Sequence, residues 1–248
     1  MNRQKASKLA TLYIIFMTIL YTIWACGKTI FGSYLIKNNR LFIDQLMKNW
    51  AVRVMSLINV ETKVLGRENL PIDGKRPVIV MCNHSSLFDI PVAILALNTT
   101  FRFIAKKELF KIPIFGHAMK KGEIISIDRQ NHRQAMKDLQ KAKEKMLDGV
   151  TLWIAPEGTT THDGKLAKFK KGGFHVAIDT SALIVPIVLK DIYQIQADYQ
   201  LDIYPNQELE VEICKPVDAS EFQLGDRHIL MDKVRNEMLK ALGQEDIQ

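Results

Sequence analysis

Apolar positions fall into three regimes along the chain. Leu9 to Gly27 is a run of 19 residues without a charge, long enough to cross a bilayer core of about 30 Å. Three Thr, two Tyr and one Trp temper it, and Tyr and Trp favour the membrane interface. A signal peptide would show a shorter apolar run and a small-residue cleavage site, and neither stands out. In Leu41 to Val60 the period changes: Phe42, Leu46, Trp50, Val54 and Ile58 recur every four residues, with Asp44, Lys48 and Arg53 off that stripe. This is an amphipathic helix, its apolar face either packed on a core or laid on a membrane surface. The lipid-directed segment just before it makes the membrane surface the sharper expectation.

From residue 61 short β-rich runs take over: PVIVMC (77–82), FRFIA (101–105), EIISI (123–127), TLWIA (151–155) and LIVPIVL (183–189). ELEVEIC (208–214) alternates strictly, which predicts a strand apolar on one face, at or near a sheet edge. Helical patterns separate these strands. The clearest is Asn131 to Leu147, where Ala135, Met136, Leu139, Ala142 and Met146 form one face and Asp148-Gly149 the stop. Arg227 to Leu242 reads as a closing helix, with Gln244 to Gln248 frayed. Strand–helix–strand repeats predict an α/β fold: a mostly parallel sheet flanked by helices, over residues 61–248. Residues 1–60 are the expected membrane-binding helical arm.

Charge sharpens that division. Residues 1–60 carry eight basic side chains and one acid, Asp44, so the whole net charge of +7 lies there. Residues 61–248 hold 26 of each sign. An excess confined to the most apolar segment suits anionic lipid head groups and argues against a nucleic-acid module. The apolar run has three basic residues on each flank (Arg3, Lys5 and Lys8; Lys28, Lys37 and Arg40), so charge gives it no orientation. Both a helix dipping into one leaflet and a single-pass anchor follow from that tie. Cys26, Cys82 and Cys214 are odd in number and form no CxxC, which argues against a disulfide or zinc framework. A catalytic domain on the cytoplasmic face of a membrane is the matching expectation, with no metal or cofactor required.

Chemistry in open α/β sheets collects past the carboxyl ends of strands. PVIVMC delivers His84 to a loop in which Ser85 or Ser86 can cap a helix running from Asp89 to Leu97. Asp89 can then fold back onto one imidazole nitrogen and support the ring as a base. The same residues also fit a solvated histidine beside an Asp that merely complements the helix dipole. GEIISIDR places Asp128 and Arg129 at a strand end, as a surface pair or as a phosphate fork. APEGTTT follows the next strand with Glu157, Gly158 and Thr159, a plain turn or a close backbone approach to a ligand. Lys168, Lys170 and Lys171 then run into Gly172-Gly173 and a helix. Cys82, two residues before His84, sits in an apolar run and reads as core.

Together these blocks resemble the glycerophospholipid acyltransferases, the family that includes the 1-acyl-glycerol-3-phosphate (lysophosphatidic acid) acyltransferases. NHSSLFD (83–89) fits its HxxxxD block, AKKELFKIPIFG (105–116) and GEIISIDR (122–129) its second region, APEGTTT (155–161) its third and VPIVL (185–189) its fourth. The match runs in order from Val78 to Val188. The resemblance implies that His84 deprotonates an acceptor hydroxyl, with Asp89 orienting it. That hydroxyl attacks the thioester of acyl-CoA or acyl carrier protein without an acyl-enzyme. It further implies that Lys106, Arg129, Glu157, Gly158 and Thr159 bind a lysophospholipid acceptor at a phospholipid membrane. Two positions depart from the pattern. Ala155 replaces an aromatic residue, and Thr160 stands where the family carries an Arg, which removes a bidentate phosphate donor. Lys165, Lys168, Lys170 or Lys171 are the candidates to compensate. Another lysolipid or glycerol 3-phosphate as acceptor, an acyl thioesterase and a non-enzymatic lipid-binding protein are the rival readings.

Overall fold

The structure is a computed structural model that describes residues 4–37, 39–71, 76–196 and 200–245. Its strands are β1 (Glu61–Leu65), β2 (Val78–Cys82), β3 (Arg102–Lys106), β4 (Ile125–Ile127), β5 (Leu152–Ile154), β6 (Leu183–Leu189), β7 (Glu208–Ile213) and β8 (Val217–Asp218). They form one mixed sheet in the order β1-β7-β6-β2-β5-β3-β4, with β8 also on β6. The centre and one edge are parallel; β7 and β8 run antiparallel to β6. All six expected strands are present. ELEVEIC forms β7, one strand in from the edge, with Leu209, Val211 and Ile213 buried. Sequence reading missed β1 and β8. β1 lies at the sheet edge and leaves every other residue exposed, and β8 is two residues long, so neither carries a strong apolar signal.

Among the described residues seven α-helices accompany the sheet: α1 (Lys8–Leu35), α2 (Arg40–Ser56), α3 (Asp89–Leu97), α4 (Phe115–Lys121), α5 (His132–Leu147), α6 (Gly172–Asp179) and α7 (Arg227–Leu242). Strand alternation sends Val80 and Cys82 into a core with Ala51 and Val54 of α2 and Val92 of α3. Ile79 and Met81 point the other way, to Leu139 of α5, Phe174 of α6 and Val234 of α7. Two apolar layers on one sheet are what near-continuous apolar strands require. Cys82 is fully buried, as its apolar setting predicts, and burial pushes its thiol well above the ordinary range.

The arm departs from expectation in its second half. Leu46, Val54 and Ile58 are buried, the Phe42 ring lies against Gly32 of α1, and the Trp50 indole donates to the Thr22 hydroxyl (3.0 Å). The stripe of α2 is thus sealed between α1 and α3, and it is core rather than a lipid-facing surface. Arg40 at the start of α2 forks onto Glu123 (2.6 Å) and pairs with Asp148, while Asp44 takes the buried Arg102 (2.5 Å). Most of the arm's open apolar side chains belong to α1, among them Leu12, Phe16, Ile19 and Ile23, while α2 leaves Leu41 and Val52 exposed. α1 continues to Leu35, well past Gly27, and the Lys28 ammonium lies over the Trp24 ring (4.6 Å). Both ends of α1 meet the same domain. Lys5 pairs with Asp202 (2.8 Å), the Ala6 amide donates to the Ile203 carbonyl (2.9 Å), and Lys121 of α4 lies over Tyr34 (4.3 Å).

The tail is also better held than expected. The Gln244 side chain accepts from the Leu166 amide and donates to the Gly164 carbonyl, so the chain is anchored there. Arg3 and the rest of the expected fray, 246–248, lie outside the described residues.

Candidate active site

Four strand ends converge because of how the crossovers run. From β2 the chain crosses through α3 on one face of the sheet, and from β5 through α6 on the other. β2 and β5 are neighbours in the sheet. The crevice between such diverging connections is where open α/β sheets place their ligands.

His84 leaves β2 into that crevice. Its Nδ1 sits 2.5 Å from Asp89 Oδ2, its ring meets Trp153 of β5 edge-on at 6.3 Å, and its side chain is 26 % exposed. Asp89 is fully buried, and the same Oδ2 accepts from the Ser85 amide (2.8 Å) and the Ser86 amide (3.1 Å). Serine capping of α3 is not what forms. The helix N-cap is Phe88, without a side-chain cap, and the serine amides instead point back into the carboxylate. Burial pushes the Asp89 carboxyl above its ordinary range, against the His84 ring and those amides, which favour its charged form. With Nδ1 committed to the carboxylate, Nε2 is the imidazole nitrogen left to accept a proton.

The third block folds onto the first. The Thr161 amide donates to the His84 carbonyl (2.9 Å), and the Ser85 and Thr161 hydroxyls lie 3.1 Å apart. Glu157 is 1 % exposed and turned inward: Oε1 accepts the His84 amide (3.0 Å) and Oε2 the Ala167 amide (2.7 Å). It therefore clasps the backbone of His84, with both carboxylate oxygens taken up by amides. Burial raises its carboxyl to about 7, with the two amides and His84 opposing the shift. Arg129 reaches from the end of β4 to the Gly158 carbonyl (2.6 Å), which joins the second block to the third. Gly158 has φ +72°, and a Cβ there would lie 2.9 Å from Lys170 Cγ. Glycine is thus needed both for the turn and for the stem of Lys170 to cross it. Thr159 is exposed at the same bend, and Lys106, paired with Ile127 across β3 and β4, is exposed beside Arg129. Asp128 turns away from Arg129 to accept Lys107 (2.5 Å) and the Gln130 and Asn131 amides.

Two contributors escaped sequence reading. Asn83 exchanges two hydrogen bonds with the Leu189 backbone (2.8 and 3.2 Å), tying the end of β2 to the end of β6. That partner is 106 residues away, and no local pattern signals it. Trp153 read as an ordinary strand aromatic, and only the pairing of β2 with β5 brings its ring to His84.

The chain resembles the chloroplastic 1-acyl-sn-glycerol-3-phosphate acyltransferase LPAT1 of Arabidopsis thaliana, with 31% identity over 201 residues, 81% of this chain and 53% of that protein. It is 28% identical over 196 residues to 1-acyl-sn-glycerol-3-phosphate acyltransferase alpha of Homo sapiens, covering 79% of this chain and 68% of that protein. The chain spans about half the length of the plant relatives it matches. Its fold superposes on the crystal structure of the 1-acyl-sn-glycerophosphate acyltransferase PlsC from Thermotoga maritima, with a TM-score of 0.79, 27% identity and 97% of each chain covered. The family model described as Acyltransferase matches residues 61–190, from the first strand of the sheet to the residue after β6, and so takes in every strand end that builds this crevice. This chain belongs to the Acyltransferase family.

Proposed function

We propose that this chain moves a fatty acyl group from acyl-CoA or acyl carrier protein to the free hydroxyl of 1-acyl-glycerol 3-phosphate, giving phosphatidic acid at a membrane surface. The observation that carries this reading is the 2.5 Å contact of His84 Nδ1 with a buried carboxylate, which leaves Nε2 as a base. In the proposed reaction Nε2 takes the acceptor's hydroxyl proton as the oxygen attacks the thioester carbonyl. The C–O bond forms, the C–S bond breaks, and the imidazolium returns its proton to the departing thiolate. Asp89 stabilises the imidazolium in between. No covalent acyl-enzyme is needed, which agrees with Cys82 being locked in the core.

Arg129, Lys106 and Lys170 are the proposed anchors of the acceptor's phosphate, around the Gly158–Thr159 bend. Lys170 is singled out from the four lysine candidates because its stem crosses Gly158. It supplies the charge that Thr160 does not, though not the fork of an Arg. Arg129→Ala is expected to raise the KM for the phosphorylated acceptor about 10- to 100-fold, as the loss of charge-assisted hydrogen bonds would. kcat changes little, and Arg129→Lys recovers part of the loss. An unchanged KM would remove Arg129 from the phosphate site.

Glu157 is proposed as a positioning residue. In Glu157→Gln the amide nitrogen must face either the His84 or the Ala167 N–H, so one amide loses its acceptor and the His84 loop shifts. We expect kcat to fall by about tenfold or more with little change in KM, since small misplacements of a base are costly. The carboxyl also protonates as pH drops through about 7. The acid limb of the parent's pH–rate profile then carries a proton from Glu157 in addition to that of the base, and the Gln variant lacks it. Parallel acid limbs in the two proteins would disprove this role.

α1 is proposed as the membrane contact. Its open apolar face and the attachment of both its ends to one domain favour a helix lying in one leaflet over a span, which would carry one end away. The basic arm favours anionic head groups on the cytoplasmic side. The decisive assay uses purified protein in micelles with labelled acyl-CoA or acyl carrier protein and a panel of lysophospholipids and glycerol 3-phosphate, with products identified by mass. Phosphatidic acid from 1-acyl-glycerol 3-phosphate is the expected product. Faster turnover of another acceptor, or release of free fatty acid without any acceptor, would overturn this assignment.

A further inference from the structure

We propose that the segment Lys111–Ile114, at the turn into α4, is a second lipid contact that inserts beside α1 and sets the mouth of the crevice on the bilayer. The inference rests on the reading of α1 as membrane-bound, and it concerns a different part of the chain. Four consecutive residues, Lys111, Ile112, Pro113 and Ile114, are exposed, with Ile112 at 47 % and Ile114 at 53 %. Elsewhere in this domain isoleucines are largely interior, so two neighbouring ones turned outward call for an occupant.

The backbone actively holds them there. Ile114 has φ 63° and ψ −57°, and the Phe115 amide donates to the Pro113 carbonyl (2.6 Å), which makes a γ-turn of the rare positive-φ kind. A β-branched residue resists this conformation. Gly116 permits it: a Cβ there would lie 2.2 Å from the Phe110 carbonyl oxygen, so only glycine lets the chain double back this tightly beside the exposed apex.

Two observations commit the occupant to a lipid leaflet. The segment is continuous with α1, because α4 begins at its end and packs against α1, with Lys121 over Tyr34. From Leu109 to Gly122 the chain carries no acid, and Lys111 and Lys120 are exposed there; Glu108 and Lys106, both exposed, lie just before it. Apolar tips ringed by lysines match an anionic interface, with the isoleucines in the acyl region and the ammonium groups among head groups. Lys106 ends β3 only a few residues before this tip. Insertion here would let a lipid's phosphate reach Arg129 while its acyl chain stays in the leaflet.

The test uses the full chain reconstituted with vesicles of equal parts phosphatidylcholine and phosphatidylglycerol carrying acyl-chain doxyl quenchers. The native cysteines are buried, so Ile114→Cys and Ile112→Cys can be labelled singly with an environment-sensitive fluorophore. Ile229→Cys on the outer side of α7 is the exposed control on the opposite face of the sheet, and Phe16→Cys reports α1. The expected result is at least twofold stronger quenching at 112 and 114 than at 229. Quenching at 112 and 114 no greater than at 229 overturns the proposal. If position 16 is quenched in that case, the tip alone fails; if it is not, the reading of α1 fails too. Ile112→Cys leaves the strained turn intact, which keeps the result independent of whether Ile114→Cys relaxes it.

Discussion

His84→Ala is expected to give a folded, membrane-associated protein that transfers acyl groups about a thousandfold or more slowly than the parent. General-base catalysis contributes roughly 10²–10⁴-fold, and in the proposed reaction the base also returns the proton to the leaving thiolate, so both halves of that reaction would lose it. The fold should survive. The His84 ring is partly exposed and contacts Asp89 and the edge of Trp153, and Asp89 keeps the Ser85 and Ser86 amides when the ring is gone. Burial already raises the Asp89 carboxyl; losing the imidazole raises it further, so the site neutralises instead of stranding a charge. Initial rates with saturating donor and acceptor, together with a melting curve and a vesicle flotation, check this. Transfer within tenfold of the parent would place the base elsewhere.

Asp89→Asn is expected to reduce kcat by about 10²–10⁴-fold while leaving the melting temperature within a few degrees of the parent. The geometry predicts which way the new amide sits. Three donors converge on Oδ2, namely the His84 ring and two serine amides, whereas Oδ1 is buried with no partner. The Asn oxygen therefore takes the Oδ2 position and its nitrogen the Oδ1 position. His84 keeps its tautomer but loses the negative charge that supports the imidazolium. Removing a buried charge offsets the cost of weaker hydrogen bonds and of a buried N–H₂ without a partner. Asp89→Ala is different. It orphans both serine amides, costs about 1–3 kcal/mol of stability, and lowers activity by at least as much. A fully active, well-folded Asn variant would mean that the carboxylate's charge is not used.

Much of this molecule was legible before any coordinates. Six strands and the helices between them followed from apolar periodicity, because a strand buried on both faces must be apolar throughout and a covering helix must be apolar on one side. Three of the four blocks were readable for a related reason: each sits at a strand end, where a run of β-branched residues stops and Gly, Pro or polar residues begin, whereas VPIVL lies within β6 itself. His84, Asp89 and Arg129 were singled out as candidates by residue type and block order, and in the structure His84 bonds to Asp89 and Glu157 while Arg129 bonds to Gly158. Periodicity fails for β1, an edge strand whose alternation is shallow.

The sequence by itself determined which segments are apolar, where the charge excess lies and which polar residues stand at strand ends, since these depend on residue type and local spacing. Tertiary structure decided which surface each apolar face meets and which way each side chain turns. The stripe of α2 looked fit for a membrane and is covered by α1 and α3, because an amphipathic face gains similarly from lipid or from protein. Glu157 looked like a ligand residue and is a clasp on the His84 backbone, because its two amide partners are set by a sheet pairing and a returning loop. Asn83 stood in the first block, but its partner, the Leu189 backbone, appeared only when β6 came alongside β2. Spacing places a residue at a strand end; the partners that decide its charge, its tautomer and its use arrive from distant parts of the chain.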